Sequence, residues 1–286
     1  MKTTKLIYVF LIIFAIVLTH STARAEKFNL AIMQGEKNAA QKFKPLIAYL
    51  QKNGIEVNLI AAPNFSAAAK MFSAGTVDAM FSGSGIAGAM IIKGLAVPLV
   101  RPLSKEGHST YHAVIIAHEG SPKFTGSADY FKDKKVVFCS LASAGEFYYH
   151  SIPGVNAVNA TIIKVVSHDK AIEMLANRLA DIAIVKNHVW NKMKNKYPRL
   201  KLIGEDTGEN PDGTLIVSNK TDPKLAAKIS EALLSLKDNT STQAYLARNE
   251  LDISGYIKTT KEDFKHTLAL LKKAGVDKSF DFTFKK

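Results

Sequence analysis

Two turns rich in serine and glycine carry the residue types best suited to bind a ligand. A Ser-Gly-Ser-Gly turn at 82–85 follows the apolar run 77–81, and a Ser-Ala-Gly-Glu turn at 143–146 follows the apolar run 136–139. In a parallel sheet such turns lie at the carboxyl ends of strands, where helices begin and ligands collect. Free backbone amides and the positive end of a helix dipole favour an anion there. The pattern therefore predicts a candidate anion site at each turn.

The side chains of these turns also have a purely structural interpretation. Ser143, with Glu146 three residues later, matches a capping box, in which the two side chains satisfy helix amides without any ligand. Glu146 would also place a carboxylate where an anion binds, unless it turns away to complete the cap. The hydroxyls of Ser82, Ser84 and Ser143 remain candidate donors to a ligand. In the structural interpretation, Gly83 and Gly85 serve only to allow a tight turn.

A histidine follows a third apolar run. His168 comes after 162–166 and precedes a helical pattern, and its imidazole could donate a hydrogen bond to an oxyanion. In the alternative interpretation, Ser167 or Asp169 caps the helix and His168 is a bystander.

Other motifs that carry chemistry are missing from the sequence. The histidines have no spacing typical of metal ligands, and no nucleophile elbow, P-loop or zinc-binding helix motif occurs. We therefore predict no catalytic residue, no metal site and no cofactor.

The first 25 residues have the three parts of a secretory signal peptide. Lys2 and Lys5 precede the uncharged apolar run 6–18, and the small residues Ala23 and Ala25 flank Arg24. The apolar run is shorter than the ~20 residues that span a bilayer. We predict export and cleavage after Ala25, with residues 1–25 excluded from the fold.

The charge and the cysteine content limit the classes of partner. The net charge is +13, but the lysines are scattered and no arginine-rich stripe alternates with aromatic residues. This disfavours nucleic acid as a partner and leaves a weak bias towards anions. Cys139 is the only cysteine, so no internal disulfide can form.

Apolar runs of strand length alternate with helical patterns along the chain. The predicted strands are 28–33, 57–61, 77–81, 113–117, 135–139, 162–166, 181–185, 200–203 and 215–217. The predicted helices are 43–50, 67–74 with Ser66 as cap, 87–93, one beginning at Ser143, 172–179, 224–236 opened by Asp222 and Pro223, and 260–275. This alternation predicts an α/β fold with parallel sheets covered on both faces.

Two polar breaks, at 118–130 and 205–213, divide this pattern. We predict two lobes joined by two crossings, near 117–120 and 212–214. Lobe 1 would comprise residues 26–117 plus 213–286, and lobe 2 residues 118–212.

Several segments, taken in order, resemble the substrate-binding proteins of phosphonate ABC importers. They are 65–79, 82–85, 107–111, 121–122, 137–145, 167–181 and 211–215. The resemblance covers nearly the whole chain after residue 25. It implies a type II periplasmic-binding-protein fold, which agrees with the two crossings, and an ABC permease in the inner membrane as partner.

The resemblance also implies a set of ligand-binding residues. Ser143 matches the first serine of the turn that cradles the phosphonate, His168 matches a histidine, and Tyr111 matches a tyrosine. Asp212 lies about where members that bind aminophosphonates have an acid for the amine.

The chain departs from the family pattern at several of these positions. Ala144 and Gly145 replace hydroxyl residues, Phe65 stands where some members have a tyrosine, and His188 stands where an amine-binding glutamate is expected. Each charged hydrogen bond lost to a phosphonate would cost about 1.5–3 kcal/mol. A different phosphoryl, phosphate or carboxylate solute therefore stays open.

We expect a periplasmic solute-binding protein of an ABC importer, a monomer that closes on a small anion without chemistry. One alternative is a periplasmic sensor feeding a histidine kinase or chemoreceptor. The others are an exported enzyme and a structural envelope protein.

Overall fold

The structure is a computed structural model, and it describes residues 27–33, 39–139 and 141–284. The predicted signal peptide, residues 1–25, and its cleavage position lie outside the described residues. Within the described ranges, none of the helices has the length and apolar character needed to cross a bilayer.

The elements alternate as the sequence predicts. The strands are β1 (Lys27–Met33), β2 (Glu56–Ala62), β3 (Ala79–Ser82), β4 (Ala96–Ser104), β5 (Thr110–Tyr111), β6 (Ala113–His118), β7 (Lys135–Cys139), β8 (Thr161–Val165), β9 (Ile182–Lys186), β10 (Leu200–Glu205), β11 (Asn210–Pro211), β12 (Thr214–Ser218) and β13 (Ile253–Lys258). The helices are α1 (Ala39–Lys52), α2 (Phe65–Ser73), α3 (Ser84–Ile92), α4 (Ala144–Ser151), α5 (His168–Ala176), α6 (Asn187–Met193), α7 (Pro223–Ser235), α8 (Thr242–Glu250) and α9 (Lys265–Lys273).

The first sheet has six strands in the order β13-β4-β12-β3-β1-β2. Alternate side chains of its strands face opposite apolar clusters. Phe28 and Leu30 of β1 pack with Leu46, Ile229 and other residues of α1, α7 and α8. The opposite face packs against α2, α3 and α9. This sheet is therefore covered by helices on both faces.

The second sheet has five strands in the order β10-β6-β9-β7-β8. On one side, Phe138 of β7 packs with Tyr149 of α4 and Phe131. On the other, Val137 packs with Leu175 of α5 and Trp190 of α6 in a separate cluster. The α/β class predicted from the sequence is thus confirmed for both sheets.

The prediction of parallel sheets is correct only in part. Strands β1, β2 and β3 are mutually parallel, as are β7, β8 and β9. Strand β12 pairs antiparallel with β3, and β6 pairs antiparallel with β9. A strand can lie parallel to its neighbour only if a crossover connection, usually a helix, returns the chain to the same end of the sheet. Each of these two strands enters its sheet directly from a crossing, without such a helix, and therefore pairs antiparallel.

The crossings form a small two-stranded sheet of their own, in which Tyr111 of β5 pairs with Asn210 of β11. The strand β6, expected in lobe 1, pairs instead with β9 and β10 of the second sheet. The first crossing therefore lies at 110–112 rather than near 117–120. The division into two lobes that move as units remains a prediction.

Several local predictions can be compared with the structure. Asp222 caps α7 by accepting from the amides of Lys224 and Leu225, with Pro223 in the first turn, as predicted. Helix α2 begins earlier than expected, because Asn64 rather than Ser66 caps it through the Ala67 amide.

Six of the strands and helices named above have no counterpart among the predictions: β4, β5, α6, α8, β11 and β13. Strand β4 contains Pro98 and Pro102 yet lies between β12 and β13. Proline lacks the amide proton of a ladder hydrogen bond, so its presence argues against a central strand.

Candidate functional site

A cavity of about 360 Å³ lies between the two sheets and is called the first cavity below. It is lined by Phe65, Gly83, Ser84, Ile86, Tyr111, Cys139, Leu141, Ala142, Ser143, Ala144, Val166, Ser167, His168, Asp169, Lys186 and Val189. These residues come from helices and turns of the first sheet's layer, from the second sheet and its helices, and from the crossing strand β5. The cavity therefore has the position of a ligand cleft between two halves.

Four helices begin at this cavity. Phe65, Ser84, Ala144 and His168 are the first residues of α2, α3, α4 and α5, and each lines the cavity. The first amides of a helix have no partner within the helix, and they carry the positive end of its dipole. Their convergence favours a negatively charged group in the cavity.

The caps of these helices differ. Asn64, Ser143 and Ser167 each accept an amide hydrogen bond at the start of α2, α4 and α5. Gly83, the cap of α3, supplies no side-chain acceptor, and a Cβ added there would meet nothing within 4 Å. The beginning of α3 is thus the helix start with the most open approach.

The hydroxyl of Ser143 is used within its own turn. Its Oγ accepts from the Glu146 amide at 3.3 Å and donates to the carbonyl oxygen of Cys139. Ser143 lines the cavity, but its hydroxyl proton is directed to the backbone. This is the capping function that the sequence indicated for Ser143.

Glu146 turns away from the cavity. Its carboxylate is fully buried, with Oε2 2.6 Å from the amide nitrogen of Ala142 and Oε1 2.6 Å from Nζ of Lys164. The first contact fixes the turn before α4, and the second neutralises the charge. The carboxylate is therefore not placed against an anion in the cavity.

Tyr111 joins the crossing to the start of α3. Its hydroxyl group is hydrogen-bonded to Oγ of Ser84, and its ring is buried. Burial raises the pKa of Tyr111 far above its ordinary value, and the bond to Ser84 offsets this only in part. The phenol stays protonated at neutral pH and can both donate and accept.

His168 reaches the cavity as a neutral group. Burial, together with the positive charge of Lys186, lowers its pKa to about 3. Its Nδ1 is buried and has no hydrogen-bond partner within the described residues. A neutral imidazole with an uncommitted nitrogen can offer one hydrogen bond to a ligand.

Lys186 is a charged cavity residue that the sequence analysis missed. Its Nζ lies 2.5 Å from Oδ1 of Asp212 and 4.4 Å from the centroid of the Tyr111 ring. A lysine at the carboxyl end of the buried apolar strand β9, directly before a helix, is a signal that could have identified it.

His188 and Asp212 line a neighbouring second cavity of about 450 Å³ rather than the first. The Nε2 of His188 lies 3.7 Å from Oδ2 of Asp212. Burial lowers the pKa of His188, although Asp212 opposes this. Both residues are thus linked to the first cavity through Lys186.

Two other predicted site residues have packing positions outside the cavity lining. Ser82 is buried, and neither its hydroxyl nor that of Thr214, its register partner, has a hydrogen-bond partner in the part of the chain described. A Cβ on Gly145 would lie 2.1 Å from the Ile184 carbonyl oxygen. Gly145 therefore allows α4 to approach β9 closely.

In the described ranges, no group of three or more His, Cys, Asp or Glu residues is arranged to hold a metal ion.

The family model for the periplasmic phosphonate substrate-binding protein of ABC transporters matches residues 28–264. The chain belongs to this family. The family prediction made from the sequence is thereby confirmed, and this phosphonate-binding family member is a substrate-binding component of the ABC-transporter type. No curated protein sequence matches it significantly.

Solved structures share the fold of this family member. XAC2383 from Xanthomonas citri, bound to ATP, has a TM-score of 0.71 at 16% identity, covering 87% of this chain and 97% of its own. PhnD1 from Prochlorococcus marinus, in complex with methylphosphonate, has a TM-score of 0.67 at 15% identity, covering 88% and 99%. A binding-protein component of a Pseudomonas aeruginosa ABC phosphonate transporter has a TM-score of 0.66 at 16% identity, covering 87% of each chain. The type II fold is thus confirmed.

Proposed function

We propose that the chain binds a small oxyanion, such as a phosphonate or a phosphate ester, in the first cavity and delivers it to an ABC permease in the inner membrane. The observation that carries this proposal is the convergence of four helix starts on one cavity, with α3 capped only by Gly83. Buried amides at helix starts bind anions without a side-chain charge.

The side chains around these amides divide the work of binding. Tyr111, Ser84 and neutral His168 offer hydrogen bonds, whereas Ser143 holds the turn before α4 in place. Ala144 and Gly145 offer no hydroxyl, so the backbone amides of α3 and α4 supply the donors that hydroxyl side chains would otherwise give.

The proposed process is reversible binding without turnover. The Ser143 hydroxyl donates to the backbone carbonyl of Cys139 rather than to a histidine base. Burial also raises the pKa of the Cys139 thiol to about 11, which keeps it protonated. A nucleophile needs an adjacent base or a lowered pKa, and these two groups have neither arrangement.

Closure would couple binding to transport. Lining residues come from both sheets, so a ligand gains its full set of contacts only when the halves are together. A ligand that binds the closed form better shifts the population towards it. The side chain of Val166, at the cavity, is 82% exposed and would be covered in this step.

The test is calorimetric titration and small-angle scattering with methylphosphonate, ethylphosphonate, phosphate, sulfate and acetate. We expect the phosphonates to bind and to compact the protein. If every anion in this panel leaves both the heat and the radius of gyration unchanged, the proposed function is wrong.

A pair of variants at one position tests the use of backbone amides. Ser84→Pro removes the first amide of α3 while fitting the first helical position, and Ser84→Ala removes only the hydroxyl. We expect Ser84→Pro to bind the anion at least ~10-fold more weakly than Ser84→Ala, since a charged hydrogen bond is worth about 1.5–3 kcal/mol. Equal affinities would place the anion elsewhere.

The proposal includes export and a monomeric mature protein that begins at Glu26. Intact-mass measurement of the periplasmic protein should give the mass of residues 26–286, and scattering should give that of one chain. A retained leader would contradict the predicted cleavage after Ala25.

A further inference from the structure

The wall between the two cavities contains an ion pair. Lys186 lines the first cavity and Asp212 lines the second, and Nζ of Lys186 lies 2.5 Å from Oδ1 of Asp212. Their side chains are only 17% and 27% exposed. Any ligand in the first cavity therefore meets the lysine side of an existing pair.

Both oxygens of Asp212 face cationic or cation-forming groups of the chain itself. Oδ1 accepts from Lys186, and Oδ2 lies 3.7 Å from Nε2 of His188. Burial alone would raise the pKa of Asp212, but the charge and hydrogen bond of Lys186 outweigh it and hold the pKa below its usual value. The carboxylate is thus ionised at neutral pH and already paired, so a ligand ammonium could use it only by displacing Lys186.

The aromatic face of Tyr111 is occupied in the same way. Nζ of Lys186 lies 4.4 Å from the ring centroid, a distance at which a cation interacts favourably with the ring. A second cation could not occupy this face of the ring. The lysine charge would also repel it, because charges are weakly screened where there is little water.

The rest of the lining is mostly apolar. The apolar lining residues are Phe65, Ile86, Leu141, Val166 and Val189. The lining also includes the carboxylate of Asp169, which is exposed, so that solvent would screen an ion pair with it. A polar substituent placed against the apolar side chains would be desolvated without a hydrogen-bond partner, which is unfavourable.

We propose that the natural ligand is an oxyanion with an uncharged, apolar substituent, and that Lys186 determines this specificity by excluding an amino group. This inference rests on the proposed function, since it takes the oxyanion in the first cavity as given. Lys186 has two roles in this specificity. It neutralises Asp212, and it places a positive charge at the first cavity, where the anion binds.

The wild-type protein can test this directly with two compounds that differ in one group. We expect calorimetric titration to show n-propylphosphonate binding at least tenfold more tightly than 3-aminopropylphosphonate. Binding of the amine compound with equal or higher affinity would overturn the inference.

Variants of the pair show which residue is responsible. Lys186→Met leaves Asp212 without its lysine, so the preference should fall or reverse in favour of the amine. Lys186→Met with Asp212→Asn removes both charges and should gain no affinity for the amine. Lys201→Met, which removes an exposed lysine outside the cavity lining, should keep the wild-type preference.

The outcomes separate this inference from the proposed function. If the wild type binds none of the anions, the proposed function is the part that is wrong. If it binds phosphonates without discriminating against the amine, this inference is wrong and the proposed function stands. Should Lys186→Met fail to fold, the wild-type comparison still decides.

Discussion

The carboxylate of Glu146 supports the turn that leads from β7 into α4. It holds the Ala142 amide with one oxygen and Lys164 with the other. Because Ala142 lines the first cavity, this buried side chain fixes part of the cavity wall without touching a ligand.

We expect Glu146→Ala to lower the free energy of unfolding by about 1–3 kcal/mol, since it leaves a buried amide without a partner. Glu146→Gln keeps an acceptor oxygen and should cost less, because Lys164 is partly exposed and its charge is screened by solvent. Urea unfolding of both variants measures the difference. Equal losses would mean that the charge, not the amide contact, stabilises the turn.

His168 should make stability depend on pH. Burial lowers its pKa in the folded protein from 6.5 to about 3. Between these values the unfolded chain binds a proton that the folded site does not, so stability falls as the pH falls from 6.5 towards 3.

His168→Gln removes this contribution. We expect the wild type to lose more stability than the variant between pH 7 and pH 4.5, as measured by thermal unfolding at each pH. Parallel curves for the two proteins would contradict a neutral, buried imidazole at this position.

At the scale of elements, α3 and the turn before α4 approach each other closely. A Cβ on Gly85 would lie 1.9 Å from the carbonyl oxygen of Ala142, whereas a Cβ on Gly83 would meet no atom within 4 Å. The contact at Gly85 joins α3, in the layer of the first sheet, to the turn before α4, in the layer of the second sheet. It therefore depends on how closely the two halves approach each other.

Gly85→Ala should therefore force the two elements apart and reduce the compaction on anion binding, while Gly83→Ala, whose Cβ meets no protein atom, should leave the compaction unchanged. Titration with methylphosphonate and scattering of the bound form measure both effects. Unchanged compaction in Gly85→Ala would show that the approach is not required for closure.

The elements also show how far the sequence could predict this molecule. Strand β7 and the capped start of α7 carry strong local signals, and both were predicted with accurate bounds. The antiparallel entry of β6 and β12 could not be predicted, because strand direction depends on where the crossings lead and not on local pattern. Strand β4 was not predicted, and its two prolines argue against a strand inside a sheet.

For a similar reason, the candidate site could be predicted only in part from the sequence. Turn composition predicted Ser84 and Ser143 near a cleft, and the position of His168 after an apolar run predicted it there as well. The structure brings all three to one cavity. The pairing of Lys186 with Asp212 joins residues that are 26 positions apart, on β9 and beside β11. Only the folded chain places them together.

At the scale of the whole molecule, one apolar cluster includes residues from both halves. Ala142 and Phe147 from the layer of the second sheet pack with Ile86 and Leu271 from that of the first. The segment after α9 extends this contact, because the ring of Phe284 stacks on His150 of α4 with centroids 4.7 Å apart. The end of the described chain therefore ties α4 to the first half.

Phe284→Ala should weaken this tie. We expect a loss of about 1.5–3 kcal/mol from the free energy of unfolding and a larger radius of gyration without ligand. Tyr245→Ala, which removes an exposed aromatic ring, serves as the control and should change neither quantity. If the ligand-free size of Phe284→Ala stays the same, the tie contributes to stability but not to shape.

The exposed side chain of Val166 has a consequence for the thermodynamics of uptake. Val166 is 82% exposed beside the first cavity, so closure on a ligand would remove apolar surface from water. Covering such a surface lowers the heat capacity of the system. The binding enthalpy should accordingly become more negative as the temperature rises, and replacement of Val166 by serine should flatten that slope.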